Sequence, residues 1–215
     1  MPNFANMTIL IVAATKQEIN PFIKLNLAVD ILISGVGVPA AIYQLQKKLQ
    51  NKKYQLVIQA GIAGSFTNKL ALGEVVIVEK DCFADIGIKE KDQFSSIFDT
   101  NLADENLFPY KKGWLINPTL IQDKLPVKAV TAVTINTVSD STTQKNMLIE
   151  KYHAQTESME GAALHYVCLQ EAVAFLQLRS ISNMVGERDK TKWKMEDAIT
   201  NLNKELVRFL KPKEK

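Results

Sequence analysis

Residues 55–64, Gln55-Leu56-Val57-Ile58-Gln59-Ala60-Gly61-Ile62-Ala63-Gly64, decide the class of fold. The run to Ala60 reads as a strand buried on both faces, because it is short, apolar and β-branched, and it stops at a glycine turn, Gly61-Ile62-Ala63-Gly64. The same grammar recurs on either side. Upstream, Thr8–Ala14 reads as a strand followed by a helix over Lys16–Ile23, in which Pro21 is unusual. Val29–Ser34 is a second strand, which Gly35-Val36-Gly37 turns into a helix carrying Pro39 in its first turn and Ala41, Leu45 and Leu49 at helical spacing. Downstream, Gly73–Val78, Ala129–Val138 and Phe175–Ser182 are strand candidates, and residues 142–151 and 161–172 read as helices. The tail from Trp193 to Leu210 is an amphipathic helix with Ile199, Leu202, Leu206, Phe209 and Leu210 on one side. Strands alternating with helices predict an α/β fold, a three-layer α/β/α arrangement on a mixed central sheet. Residues 88–113 are more polar and read as an excursion at the sheet edge. The expectation is a single domain over residues 1–215.

Composition removes several functions. Hydrophobic residues make up 47% and charged residues 23%, the balance of a soluble globular chain. The net charge of +3 comes from scattered lysines, with no basic stripe interleaved with aromatics, so nucleic acid is not an expected partner. The closing Lys-Pro-Lys-Glu-Lys reads as a solvated tail. Cys82 and Cys168 stand far apart in apolar or mixed surroundings and read as reduced core thiols. His153 and His165 lack ligand spacing, so no metal is expected. The N-terminal apolar run is too short to span a membrane and has no basic stretch before it, which points to the cytoplasm. Arginine is scarce: only Arg179, Arg188 and Arg208 occur.

In open α/β sheets, ligands collect where strands end. Four features fall there. Glu18 follows the first strand, where a carboxylate also suits the first turn of a helix. The two glycine turns let backbone approach a ligand, although a dinucleotide fingerprint would need a third glycine and an acidic ribose partner that the chain lacks. Glu160 sits in Glu157-Ser158-Met159-Glu160-Gly161-Ala162-Ala163 at a helix start. Asn183 ends the strand Arg179-Ser180-Ile181-Ser182-Asn183, where an Asn is commonly a turn residue. Singly, each has an ordinary structural explanation. Together and in this order they supply what cleavage of a nucleoside needs: carboxylates for a diol and a water, and an amide for a purine.

The motifs Ala84-Asp85-Ile86-Gly87, Glu157 to Ala163 (ESMEGAA) and Ser180 to Trp193 (SISNMVGERDKTKW) resemble the purine nucleoside phosphorylase and methylthioadenosine nucleosidase superfamily over nearly the whole chain. Within it they are most similar to the futalosine hydrolases, enzymes of an alternative menaquinone pathway. The methylthioadenosine/adenosylhomocysteine nucleosidases usually carry Asp where this chain has Asn183. The resemblance implies a nucleoside phosphorylase-like fold. It also implies that Glu18 positions and activates the hydrolytic water, and that Met159 and Glu160 pack against the ribose and hold its hydroxyls. By the same resemblance Asn183 would face N7 and the six-position of the base, and Ala63 and Gly64 would lie near the ribose and the attacking water. Thr137 and Val138 would fall on the segment lining the base. Many relatives place an aromatic there; in this chain Phe66 or Phe83 would have to supply the ring. The resemblance further implies a homo-oligomer, most simply a dimer, and a cationic or polar partner for the substrate's 5′ substituent. Arg188 is the candidate, with an ion pair to Asp189 as the competing arrangement.

Two chemical choices narrow the expectation. Similar phosphorylases carry an arginine and a serine near the second glycine turn to hold phosphate; here those positions are Gln59 and Ile62, which favours water as nucleophile. A 6-oxopurine presents two acceptors, N7 and O6, which an amide donor serves, whereas a 6-aminopurine suits a carboxylic acid. Asn183 therefore favours release of hypoxanthine, by glycosidic hydrolysis without a cofactor. The alternatives are a methylthioadenosine/adenosylhomocysteine or aminofutalosine nucleosidase, and a non-catalytic nucleoside-binding protein on the same fold.

Overall fold

The computed structural model describes residues 7–91, 93–118, 127–138 and 141–210. Its elements follow the alternation closely. Strand β1 (Ile9–Ala13) leads to helix α1 (Lys16–Ile23), β2 (Asp30–Ile33) and α2 (Val38–Asn51). Then come β3 (Leu56–Ser65), β4 (Val75–Asp81), β5 (Gly87–Glu90), β6 (Gln93–Ser96), β7 (Leu115–Ile116) and β8 (Lys128–Thr134). Helix α3 (Thr142–Tyr152), β9 (Thr156–Ser158), α4 (Gly161–Gln170), β10 (Phe175–Met184) and α5 (Met195–Leu210) complete the chain.

β3 is the hub of the sheet. One edge pairs in parallel with β10 from Val57 to Ser65; the other pairs in parallel with β1 and then, at Gly64 and Ser65, antiparallel with β9. β1 continues in parallel to β2. β10 pairs antiparallel with β4, β4 runs parallel to β8, and β8 runs parallel to β9. The path β3–β10–β4–β8–β9 therefore returns to β3, and the mixed sheet closes on itself at one end.

Helices cover both faces, and alternate residues of each strand serve alternate faces. Ile9, Ile11 and Ala13 of β1 join Ile19 and Phe22 of α1 and Leu202, Leu206 and Phe209 of α5. Leu10 and Val12 point the other way, into Leu45 and Leu49 of α2 and Leu164, Val167 and Cys168 of α4. Burying a side chain of this size stabilises by about 1.5–3 kcal/mol, so the stripe read on α5 is what seats that helix.

Two readings are corrected and one strand is added. The glycine segment 61–64 is not a turn: β3 runs through it to Ser65, because the ring of strands supplies hydrogen bonds on both edges. The excursion at 88–113 contains the antiparallel hairpin β5–β6, with Gly87 opposite Ser96 and Glu90 opposite Gln93. Strand β9 is only three residues long, too short for its alternation to be seen in sequence. Cys82 and Cys168 are buried and unbridged. No helix among the described residues is long and apolar enough to cross a membrane. The terminal Lys-Pro-Lys-Glu-Lys lies outside the described residues.

Pro21 leaves a mark on α1. Ile19 departs from helical geometry at φ −123° and ψ 15°, as expected where a proline ring disturbs the turn before it. The bond that Phe22 N–H would donate to the Glu18 carbonyl is replaced by the side chain of Asn203 on α5. Its Oδ1 accepts from Phe22 N at 2.9 Å and its Nδ2 donates to Glu18 O at 2.8 Å. One buried amide thus holds the backbone of Glu18. Asn203→Ala leaves both groups unpaired, and the expected cost is about 1–3 kcal/mol, read as a clear fall in thermal midpoint. An unchanged midpoint would show that the kinked turn satisfies itself.

Candidate active site

Where β1, β3 and β10 end, a cavity of about 360 Å³ opens, lined by Glu18, Ala63, Gly64, Glu157, Met159, Glu160 and Asn183 among others. Three carboxylates face one small, largely apolar space. Their hydrogen bonds separate their roles.

Glu18 is held from two sides. Its Oε2 accepts from the backbone N–H of Thr15 at 2.9 Å and from the Thr15 hydroxyl at 3.0 Å, the reach-back of a capping box. Its Oε1 accepts from Ile62 N–H at 3.2 Å. The helix-start explanation holds, and the same cap fixes the carboxylate at the cavity wall.

Glu160 precedes α4 and accepts a bond at Oε1 from Gly37 N–H at 2.9 Å. Gly37 has φ +89°, a conformation that suits glycine. The first glycine turn therefore aims its N–H at a protein carboxylate, not at a ligand. Burial raises the Glu160 pKa, and Arg179 and the Gly37 bond oppose that rise. Below Glu160, Thr134 Oγ1 accepts from Ala162 N–H at 2.7 Å and donates to Asp81 at 3.0 Å. This buried anchorage fixes the start of α4.

Asn183 stands at a break in register. β10 pairs Ile181 with Ala63 and then Asn183 with Gly64, leaving Ser182 as the extra residue of a bulge. Bulges re-aim side chains near sites. Here the Ser182 hydroxyl donates to Asn183 Oδ1 at 2.7 Å, and Asn183 Nδ2 donates to Met184 O at 3.0 Å. Gly64 makes room: a Cβ there would sit 2.9 Å from Val185 Cγ2, 3.4 Å from Glu157 Cγ and 3.5 Å from Asn183 Nδ2. Gly61, three residues earlier on β3, makes room in the same way: a Cβ there would meet Arg179 Nη1 and, at 2.9 Å, Glu18 Oε1.

Sequence reading missed two charged groups. Arg179, only 2% exposed, lies beneath the cavity; its Nη2 donates to Gln59 Oε1 at 2.8 Å. It is the cation that acts on Glu160, and its place on a strand reading as plain core hid it. Glu157 is 7% exposed. It lines the cavity, and no described residue donates a hydrogen bond to its carboxylate. Burial pushes its pKa from 4.5 up to about 7, with Lys145 pulling the other way.

Other expectations on site residues turn out differently. Val138 lines the cavity, whereas Thr137 is exposed and outside the lining. Phe66 packs in a separate core with Cys82 and Val185, and Phe83 packs against Tyr166. Neither reaches the cavity. The aromatic that does is Trp193, fixed by its Nε1–H donating to Glu187 O at 2.9 Å, while Lys194 N–H closes the loop onto Ser182 O at 2.8 Å. Its position beyond a charged loop gave no sign of this. Arg188 is exposed and does not line the cavity; Asp189 instead accepts from Thr191 and lies 4.0 Å from Lys192.

A closed mixed sheet between helices, with a carboxylate-lined cavity at its strand ends, is an α/β fold built to bind a small molecule. The model of the phosphorylase superfamily matches residues 14–211, and the chain belongs to that superfamily. It is 30% identical to the futalosine hydrolase of Thermus thermophilus over 182 residues, 83% of this chain and 80% of the relative. Among solved structures, the 5′-methylthioadenosine/S-adenosylhomocysteine nucleosidase of Neisseria meningitidis in complex with methylthio-immucillin-A superposes with a TM-score of 0.79 at 17% identity, covering 94% of this chain and 98% of that one. The futalosine hydrolase of Helicobacter pylori superposes with a TM-score of 0.75 at 17% identity, covering 94% and 98%.

The raised Glu157 pKa has a consequence for stability. The folded state holds this proton more tightly than the unfolded state, so both are protonated below about pH 4.5 and nothing is lost. As pH rises from 4.5 to about 7 the unfolded chain ionises first, and the fold loses up to roughly 3 kcal/mol. Glu157→Gln removes that loss. Thermal melts of the ligand-free protein at pH 5 and pH 8 check it: the variant gains on the wild type as pH rises, and parallel curves would contradict the assignment.

Proposed function

We propose that this chain is a futalosine hydrolase, cleaving the N-glycosidic bond of futalosine with water to release hypoxanthine and dehypoxanthine futalosine in menaquinone biosynthesis. The observation that carries the reading is Asn183, an amide at a cavity-facing bulge where a carboxyl group would be expected for an adenine-releasing site. Its Oδ1 accepts from Ser182 and one Nδ2 hydrogen goes to Met184 O, which leaves the second Nδ2 hydrogen as a donor for a ligand. A donor there matches an acceptor edge, N7 and O6 of a 6-oxopurine, and a mismatched buried polar pair costs about 1–3 kcal/mol.

The rest of the cavity suits a dissociative reaction. Glu160 holds the ribose diol beside Met159, favouring positive character on the ring as the bond lengthens. Glu18, preset by Thr15 and Ile62, orients water toward the anomeric carbon. Ala63 and Gly64 form the floor near the ribose, and Val138 borders the base. Water is preferred to phosphate because Ile62 offers only hydrocarbon to the cavity and Gln59 is engaged with Arg179. Positioning and electrostatics of this kind lower the barrier without a cofactor. The enzyme works in the cytoplasm as a homo-oligomer, most simply a dimer, in which one domain makes up the chain.

The second reading is a methylthioadenosine/adenosylhomocysteine or aminofutalosine nucleosidase. Its support is the shared fold of the Neisseria meningitidis structure, and Asn183 speaks against it. Incubation with futalosine, aminofutalosine and methylthioadenosine side by side, with free base identified by chromatography, separates the two. Hypoxanthine should appear from futalosine at least about tenfold faster than adenine from either amino substrate, the ratio set by one unmatched hydrogen bond. Faster adenine release would overturn the reading, and no base from any substrate would leave a binding protein.

A further inference from the structure

An amide cannot discharge a leaving group. As the glycosidic bond breaks, its electron pair stays on the purine, and Asn183 has no proton to give. One of its two N–H hydrogens is already spent on Met184 O, and its carbonyl is taken by Ser182. A single N–H therefore remains for a base that presents two acceptors.

Across Gly64 stands Glu157. Its Cγ and Asn183 Nδ2 lie 3.4 and 3.5 Å from the point a Gly64 Cβ would occupy, so the two side chains border the same corner of the cavity. The contrast with its neighbours is chemical. Glu18 accepts from three donors and Glu160 accepts from the Gly37 N–H. Glu157 has no donor among the described residues. An ionised carboxylate in that position would be buried and unpaired, whereas a carboxylic acid would sit there at little cost and carry one O–H into the cavity.

Taking the cavity as the purine nucleosidase site proposed above, we propose that Glu157 is the general acid that protonates the departing base, while Asn183 holds that base in register. The step balances. The C1′–N9 bond breaks with its pair left on the purine, and the Glu157 carboxyl proton passes to N7, so hypoxanthine leaves neutral and Glu157 becomes a carboxylate. Water forms the new C1′–O bond and gives its proton to Glu18. Transfer of that proton through solvent from Glu18 to Glu157 resets the site. The groups around Glu157 fit this direction: Lys145 from α3 is the one cation acting on it, Val133 opposite it on β8 and Gly64 on β3 carry no charge, Asn183 of β10 and Val185 just after it border the same corner, and Glu18 and Glu160 line the same cavity.

The test compares wild type and Glu157→Gln on futalosine and on its N7-methylated form, whose base leaves neutral without a proton. With futalosine, kcat/KM of the wild type should fall with rising pH above about 7, the acid limb expected of this group. Glu157→Gln should lose at least about a hundredfold on futalosine and lose that limb with it, while losing only a few-fold on the methylated substrate. Glu18→Gln should hurt both substrates alike. Equal losses of Glu157→Gln on the two substrates, or full activity on futalosine with the limb intact, would overturn the proposal. If the variant does not fold, the wild type decides: an alkaline decline that is absent, or is the same for both substrates, overturns it as well. Failure of the wild type to release base from futalosine or aminofutalosine would instead defeat the nucleosidase reading itself, and this inference with it.

Discussion

Three carboxylates sharing one small cavity with a single buried guanidinium beneath them is the constraint to which the surrounding structure answers. Like charges this close in apolar surroundings cannot all remain ionised without individual partners. Thr15 and Ile62 supply them for Glu18, and Gly37 supplies one for Glu160. Arg179 lowers the cost of charge on Glu160, and Glu157, left without a donor, keeps its proton to about pH 7. These partners are backbone N–H groups, the short Thr15 hydroxyl and the buried Arg179, so the division of labour among chemically identical groups is written into the fold.

Close approach is the means by which the fold does this. β3 carries Gly61 and Gly64 through the centre of the sheet, and the absent side chains are occupied by Arg179 and Glu18 at the first and by Glu157, Asn183 and Val185 at the second. Elements distant in sequence thereby meet: α1, β9, β10 and α5 all contribute. The kink at Pro21 belongs to the same scheme. It frees a carbonyl and an N–H that Asn203 takes up, tying Glu18 to the last helix.

Much of this could be read from residue patterns. The apolar runs around Thr8, Gln55 and Phe175 marked strands because two-faced burial leaves a strong, short-range signal. The amphipathic stripe of Leu202, Leu206 and Phe209 marked α5 for the same reason. Glu18, Met159, Glu160 and Asn183 were recognisable by type and order, and the structure brings them to one cavity. What escaped was non-local. A three-residue strand such as β9 gains its identity from β3 and β8, and the closed ring of strands from pairings no segment encodes alone. Arg179 looked like a charge interrupting a core strand, and Glu157 like the first letter of a motif whose weight fell on Glu160. Thr137, Phe66 and Phe83 were placed near the base by resemblance, and packing takes them elsewhere, while Trp193 arrives through a loop held by Glu187 and Ser182.

The central claim is that the amide at position 183 selects a 6-oxopurine, and Asn183→Asp tests it with almost no change in volume. The measurement is the ratio of hypoxanthine release from futalosine to adenine release from aminofutalosine, in competition, for wild type and variant. The expected result is a shift of that ratio toward adenine by about tenfold or more, since the new group accepts from a 6-amino donor and opposes O6 when ionised. A ratio that stays where it was, or moves further toward hypoxanthine, would contradict the claim.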